Sequence, residues 1–430
     1  MNLVAIFDAL LVANFLLTLA ALARLRPATL IVAGNMLPVI RALSLAAEFG
    51  QPRSQAFLPA SVYSHDSLAL AAIVFAIETA LLALFVLWPE PAAPAVRQPL
   101  PEVPRWLRWV LGAYLLLVTF SSRTILTHSY TDPDRMIFGM NLSGAHALLA
   151  SIVLYEVVRR VKCGLVKPAS GFVFVLGLFL ATDYLKGATG FATGYIVTAS
   201  MLLFREEPRR LRRWLLLGAS MASGLLLALA VRGVRATLYS QGTGAVSTFS
   251  EQLGSQERGA SQSGEGLELF ANGAQYAAHL LECVALYEAG VSREWRSVYL
   301  PLEYTFKPSF LVEPLGLSRP KEAAWELAEY YIHGGGIFVL GELYWNGGFL
   351  CVALVFAAIL WVCRRCDLGS RSSAVWLLLV CEFAPSLLQG VGYGFAQVSR
   401  GLLNGLVVLA AYWLLELLKR GSGRVLRPAT

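Results

Sequence analysis

The stretch GGIFVLGELYWNGGFLCVALVFAAILWV, residues 335–362, decides how this chain is built. It is longer than the roughly 20 apolar residues with which an α-helix crosses a bilayer. It contains a single formal charge, Glu342. A lone carboxylate in such a helix is costly and is expected to face a cavity or a basic partner. Immediately before it comes a polar stretch that starts at Arg293. That stretch reads R-E-W-R-S-V-Y-L-P, then K-P-S at 307–309, then R-P-K-E-A-A-W-E-L at 319–327 and Y-Y-I-H-G-G at 330–335. One segment thus joins a chemically rich loop to a membrane helix.

Runs of the same kind recur along the chain, at about 3–23, 28–48, 67–88, 106–122, 136–158, 169–187, 189–204, 214–232, 373–391 and 399–418. Together they predict an all-α polytopic membrane protein of about eleven (10–12) transmembrane helices. Residues 1–430 then form one integral membrane domain. With 57% hydrophobic and only 15% charged residues, against roughly 25% charged in soluble chains, a soluble domain is excluded. The first run has no basic n-region and no cleavage site, so it reads as a retained span, not a signal peptide.

The net charge of +7 is a topology signal. Arg and Lys crowd into short polar segments: Arg24 and Arg26; Arg97, Arg105 and Arg108; Arg159 to Lys167; Arg205 to Arg213; Arg364 to Arg371; Lys419 to Arg427. Alternating the spans puts all of them on one side, as the positive-inside rule requires of the cytoplasm. The N-terminus is then outside and the tail 419–430 inside. Placed like this, the charge gives no reason to expect a nucleic-acid partner. Six cysteines make no disulfide framework, and Cys363-Arg-Arg-Cys366 has no second pair to complete a metal site.

The opposite face receives the long loop 233–334. Residues 241–266, rich in Gly, Ser and Gln, show no periodicity. Leu269, Phe270, Tyr276, Ala277, Leu280, Leu281, Val284 and Tyr287 recur at three- and four-residue steps. They predict an amphipathic helix lying against the membrane or the bundle. Prolines at 301, 308 and 314 break the next part, and Pro320 opens a short helix that carries Trp325. Between residues 236 and 334 there are twelve Glu, no Asp, four Arg and two Lys. A net-acidic loop with bunched bases suits a small pocket for a few negative charges.

The candidate chemistry collects on this face. Lys186, Arg232, Arg235 and Arg400 fall at outer ends of spans, against positive-inside economy, and join Arg293, Arg296 and Lys307 of the loop as candidate anion ligands. His333, before Gly334-Gly-Gly336 and the start of a span, is placed as a general base beside a helix N-terminus. Glu342 is the second candidate for that role. Tyr344 and Asn346 offer a stacking surface and an amide for a sugar. No P-loop, nucleophile elbow or histidine pair at metal spacing is present, so neither a metal nor another cofactor is expected.

Several of these segments carry a family resemblance. They are Lys186-Gly-Ala-Thr-Gly190 at the outer start of a middle span, without the arginine usual there; Tyr299-Leu-Pro301 followed by Lys307-Pro-Ser309; Gly341-Glu-Leu-Tyr344 with Asn346-Gly-Gly348; and Gln397-Val-Ser-Arg400. In these, and in its architecture, the chain resembles the Wzy-type polymerases of bacterial surface polysaccharides such as O-antigen and enterobacterial common antigen. The resemblance implies a glycosyltransferase in the bacterial inner membrane, active on the periplasmic face. Such an enzyme joins oligosaccharide repeat units carried on undecaprenyl pyrophosphate and releases the lipid pyrophosphate. It implies no metal and no nucleotide sugar, and a chain-length-regulating co-polymerase as protein partner. Two other readings remain open at this point. One is an O-antigen ligase-like transfer to lipid A core. The other, from a different class, is a transporter or flippase of lipid-linked sugars, against which stands the absence of a detectable internal repeat.

Overall fold

A computed structural model describes residues 2–49, 64–90, 100, 102–121, 143–180, 182, 189–205, 207, 209–241, 269–299, 323–331 and 336–425. Among them all regular structure is helical. The helices are α1 (Leu3–Ala23), α2 (Pro27–Phe49), α3 (His65–Leu87), α4 (Arg105–Ser121), α5 (Ser143–Lys162), α6 (Pro168–Phe179) and α7 (Thr189–Phe204). They continue as α8 (Arg210–Gln241), α9 (Leu269–Glu288), α10 (Ala323–Leu327), α11 (Val339–Gly369), α12 (Ala374–Tyr393) and α13 (Phe395–Val425). Six of the described helices, α1, α2, α3, α8, α11 and α12, are long and apolar enough to cross a membrane. The chain is therefore a multi-pass helical membrane protein.

Local chemistry sets several helix ends. Asn2 and Ser64 cap α1 and α3 by accepting the backbone N–H of Ala5 and Ser67. Pro27 opens α2, where its missing N–H costs nothing. The helices then approach closely where a side chain is missing or small, as membrane helices do. A Cβ at Gly194 of α7 would stand 2.7 Å from the Pro385 carbonyl oxygen of α12, and one at Gly273 of α9 would stand 2.5 Å from that of Pro38 in α2.

One end of the bundle is tied by the basic residues. Arg26 pairs with Glu90 at 2.8 Å and also donates to the last carbonyls of α3, at Phe85 and Val86. Arg364 donates to Phe85, Trp88 and Pro89. Arg371 reaches Glu90 at 2.6 Å, and Lys162 and Arg205 reach the backbone of Ser370. Asp367, fully buried near the end of α11, accepts the N–H groups of Ala28 and Thr29 at 2.9 and 3.0 Å and so caps α2. Cations bind the electronegative ends of helices here, and a carboxylate binds an electropositive one. Basic residues of several clusters, Arg24 and Arg26, Lys162, Arg205, and Arg364 and Arg371, thus meet at one end.

Of the two placements expected for the loop helix α9, against the membrane or against the bundle, the structure shows the second, and the helix is buried on more than one face. Residues 277–284 are buried on every side, because α9 is inserted among α2, α3 and α11. At the other crossing a Cβ on Gly341 of α11 would lie 2.9 Å from the Leu280 Cα of α9. The short helix α10, which carries Trp325, spans Ala323–Leu327 and is followed by turns at 328–330.

Candidate functional site

The site lies at the opposite end of the bundle and starts from a broken helix. Within α11 the backbone leaves helical geometry at Gly347 (φ −174°, ψ 33°) and Gly348 (φ 59°, ψ −152°). Gly348 occupies a region open in practice to glycine alone. The break frees backbone carbonyls that a continuous helix would satisfy internally, and buried carbonyls need donors. The turn that follows α9 supplies them: Arg293 N–H donates to Trp345 O at 3.2 Å and Trp295 N–H to Asn346 O at 3.0 Å.

Side chains lock the same junction. Asn346 Oδ1 accepts Ser297 N–H at 2.8 Å while its Nδ2 donates to Glu342 O at 2.7 Å. Trp345 Nε1 donates to Val291 O at 2.7 Å, and the Tyr344 hydroxyl to Glu288 Oε1 at 2.8 Å. To bring its amides into register the turn holds Glu294 at φ 48° and Trp295 at φ 63°. Each costs about 1–2 kcal/mol for a non-glycine residue. Strain of this kind persists where surrounding bonds over-determine it.

Through the junction runs a chain of alternating charges. Arg293, whose side chain is 2% exposed, binds Glu326 Oε2 of α10 at 2.6 Å and the Ser297 hydroxyl. Its Nη1 is 3.5 Å from Glu342 Oε1, and its guanidinium lies over the Trp345 ring, 5.4 Å from the centroid. Glu342 is 1% exposed; its Oε2 accepts Phe395 N–H, the first amide of α13, at 2.6 Å. A carboxylate at a helix N-terminus is favoured by the helix dipole. Gly394 (φ 97°) leaves the room, since a Cβ there would stand 2.5 Å from that oxygen. Outward from Glu326, Arg296 pairs with Oε1 at 2.9 Å and keeps a 41% exposed side chain.

The candidate residues therefore divide. Arg293, Glu342, Tyr344 and Asn346 are brought together, all buried and each held by neighbours; what they provide is a rigid wall. Arg296 faces outward from that wall. Arg400, partly buried, sits on α13 about 7.5 Å along the axis from Phe395. Arg232 and Arg235 lie on the last turns of α8, and their side chains are outside the described structure. Lys186, Lys307, His333 and the 242–266 segment lie outside the described residues. The helix that follows His333 starts at Val339 with Phe338 as N-cap, so the glycine run precedes the helix instead of forming its first turn.

Three acidic residues went unnoticed in the sequence reading. Glu326 is the clasp between Arg293 and Arg296. Glu282, on α9, is 1% exposed, and its Oε2 has no hydrogen-bond partner among the described residues. Burial raises its carboxyl from 4.5 to about 8. Glu382 of α12 is fully buried and accepts bonds from Ser151 of α5, Tyr195 of α7 (3.2 Å) and Asn404 of α13 (3.3 Å). The argument applied to Glu342, a lone carboxylate in an apolar run, would have flagged Glu382 as well. For Glu282 the signal was the stripe Gln275, His279, Glu282, polar residues at helical spacing on an otherwise apolar helix. Comparison with family models, with curated proteins and with solved structures gives no match.

Proposed function

We propose that this protein is a membrane glycosyltransferase that polymerises oligosaccharide repeat units carried on undecaprenyl pyrophosphate. In this reading the chain crosses the bacterial inner membrane eleven times, with loop 233–334 on the periplasmic face. The growing glycan is transferred from its lipid carrier to a hydroxyl of the incoming lipid-linked unit, and lipid pyrophosphate leaves.

The observation that carries the reading is the junction between the 291–297 turn and broken α11. It is a fixed, water-poor polar wall at the end of the bundle away from the basic latch. Among the described residues Arg296 is a half-exposed cation of that wall, and Arg400 lies on α13, the helix whose first amide Glu342 holds. Interrupted membrane helices are a recurrent way to build a substrate site in a bilayer protein. A departing diphosphate needs positive charge already in place where negative charge develops. Arg296 and Arg400 take that role here, joined by Lys186, Arg232, Arg235 and Lys307. Arg293 and Glu342 act as positioning residues, because each is already bound to an opposite charge or a helix end. His333 remains assigned to the acceptor. The motif resemblance supports the same chemistry.

The test is purified protein in nanodiscs with lipid-diphosphate-linked repeat units. Glycans longer than the input, with release of lipid diphosphate, are expected; unchanged glycan length rejects the polymerase. Lipid A core supplied as sole acceptor separates ligase from polymerase. Movement of intact lipid-linked sugar across a vesicle without elongation assigns a flippase instead. Arg400→Ala and Lys307→Ala should abolish polymer at unchanged protein level, and full activity in either removes that residue from the diphosphate site.

A further inference from the structure

We propose that the seam between α3 and α11, at the latch end of the bundle, is a binding site for an anionic phospholipid. The phosphate sits at Arg364 and Arg365, and the acyl chains run along the two helices. The inference needs only that the chain spans a membrane and stands apart from the reaction proposed above.

Three observations carry it. The first is the profile of the surface. On α11 the exposed residues toward this end are Leu354, Ala358, Trp361 and Arg365, steps of three and four that make one outward stripe. On α3, which packs against α11, Leu84, Leu87 and Trp88 are exposed at the same end. Each stripe is apolar until its last turn, where a tryptophan stands. On α11 an arginine follows about 6 Å further along the axis. Tryptophan marks headgroup depth on a membrane helix. A surface that runs from leucine to tryptophan to arginine has the profile of a phospholipid, from chains to phosphate.

The second is that the cations are held in place. Arg364 donates to the carbonyl oxygens of Phe85 at 3.0 Å, Trp88 at 3.1 Å and Pro89 at 2.7 Å. These bonds tie the end of α3 to α11 and hold the guanidinium over the Trp88 ring, 5.7 Å from its centroid. Arg365 lies over the Trp361 ring, 5.3 Å from its centroid. Two cation–π pairs thus stand on adjacent residues, one ring from each helix. A cation–π contact leaves a guanidinium with N–H groups to give, and its planar fork matches a phosphate.

The third is the charge balance. The charged groups that act on Arg364 are Arg24 after α1, Arg26 before α2, Arg365 on its own helix and Glu90 after α3. Glu90 is the one acid of this set, and it is already shared by Arg26 at 2.8 Å and Arg371 at 2.6 Å. Among the described residues no carboxylate pairs with Arg364 or Arg365. Like charges crowded at a membrane boundary repel until an anion joins them. A lipid phosphodiester brings that anion on a body whose chains match the exposed leucines, which a free phosphate lacks. Basic pockets between transmembrane helices are a recurrent place for anionic headgroups.

The experiment takes the full chain, delipidated in detergent, and titrates it with phosphatidylglycerol or with phosphatidylethanolamine of the same acyl chains. Bound lipid is counted by native mass spectrometry. Both headgroups carry the phosphate, and only the first leaves its charge unbalanced. The first phosphatidylglycerol should bind about tenfold more tightly than phosphatidylethanolamine. Arg365→Gln should weaken phosphatidylglycerol about fivefold, the effect of one arginine at an anionic headgroup, and leave phosphatidylethanolamine unchanged. Arg210→Gln removes the same charge from an exposed position on α8, which packs on α6 and α7, and should change neither. Equal affinity of wild type for the two lipids overturns the inference, and this arm needs no variant. An equal loss in Arg210→Gln overturns it too, because the effect is then one of bulk charge. Displacement of the lipid by millimolar inorganic phosphate would show a site for the free anion and sink the lipid reading.

Discussion

Glu282 and Gly348 show how single residues set the limits of this site. A carboxyl raised from 4.5 to about 8 keeps its proton in the fold at pH values where the unfolded chain has released it. Between those values the native state binds more protons, so stability falls as pH rises across that window. Glutamine has no charge to bury. Glu282→Gln should therefore match wild type near pH 4.5 and exceed it increasingly toward pH 8, by on the order of 3 kcal/mol at pH 7. Thermal unfolding midpoints against pH in detergent would show it, and parallel curves would mean that the carboxyl is not desolvated. Gly348 sets a steric limit: at φ 59°, ψ −152° a Cβ is strained, and it would also stand 2.9 Å from the Tyr287 hydroxyl. Gly348→Ala should cost about 1–3 kcal/mol, measured as loss of folded protein on heating. Tyr287→Phe in the same chain should return only the part due to the hydroxyl contact.

At the scale of elements, the junction between the 291–297 turn and α11 behaves as one unit because its members share partners. Arg293→Ala would leave Glu342 buried without its cation and Glu326 with Arg296 alone. Breaking a buried pair this way costs roughly 3–5 kcal/mol, and the coupling should appear as non-additivity with Glu342→Gln. Additive losses in a double-mutant cycle would separate the two residues. This unit also marks where the sequence stops being legible. The apolar runs foretold the six described helices that are long and apolar enough to span, since an 18-residue run has little choice in a bilayer. Their ends drifted: α8 runs on to Gln241 and α13 starts at Phe395, because polar residues continue a helix once it is nucleated. The α11 break was invisible, since Asn346-Gly-Gly348 inside an apolar run reads as a small-residue stretch. It becomes a break only because the 291–297 turn is there to satisfy its carbonyls. The burial of α9 was hidden likewise. Its apolar face was plain, but whether His279 and Glu282 meet water or protein depends on what packs on the other side.

For the whole molecule, the basic latch and the junction mark two ends, and the proposed function requires that they face opposite sides of the membrane. Lys162, Arg205 and Arg371 converge around Ser370 and the last turns of α11, next to the end of α5. The positive-inside rule assigns that end to the cytoplasm. The protein contains its own reporter for this. Of its six free cysteines only Cys163, one residue beyond α5, is exposed; Cys283, Cys351, Cys363, Cys366 and Cys381 are buried. A membrane-impermeant maleimide should leave the folded protein unlabelled in intact spheroplasts. It should attach a single label, at Cys163, in inverted vesicles, and Cys163→Ser should remove it. Labelling of Cys163 from outside would place the junction, with Arg296 and Glu342, in the cytoplasm. A polymerase of lipid-linked units that works on the periplasmic face could not then use that wall. One thiol thus decides the side on which the chemistry must be sought.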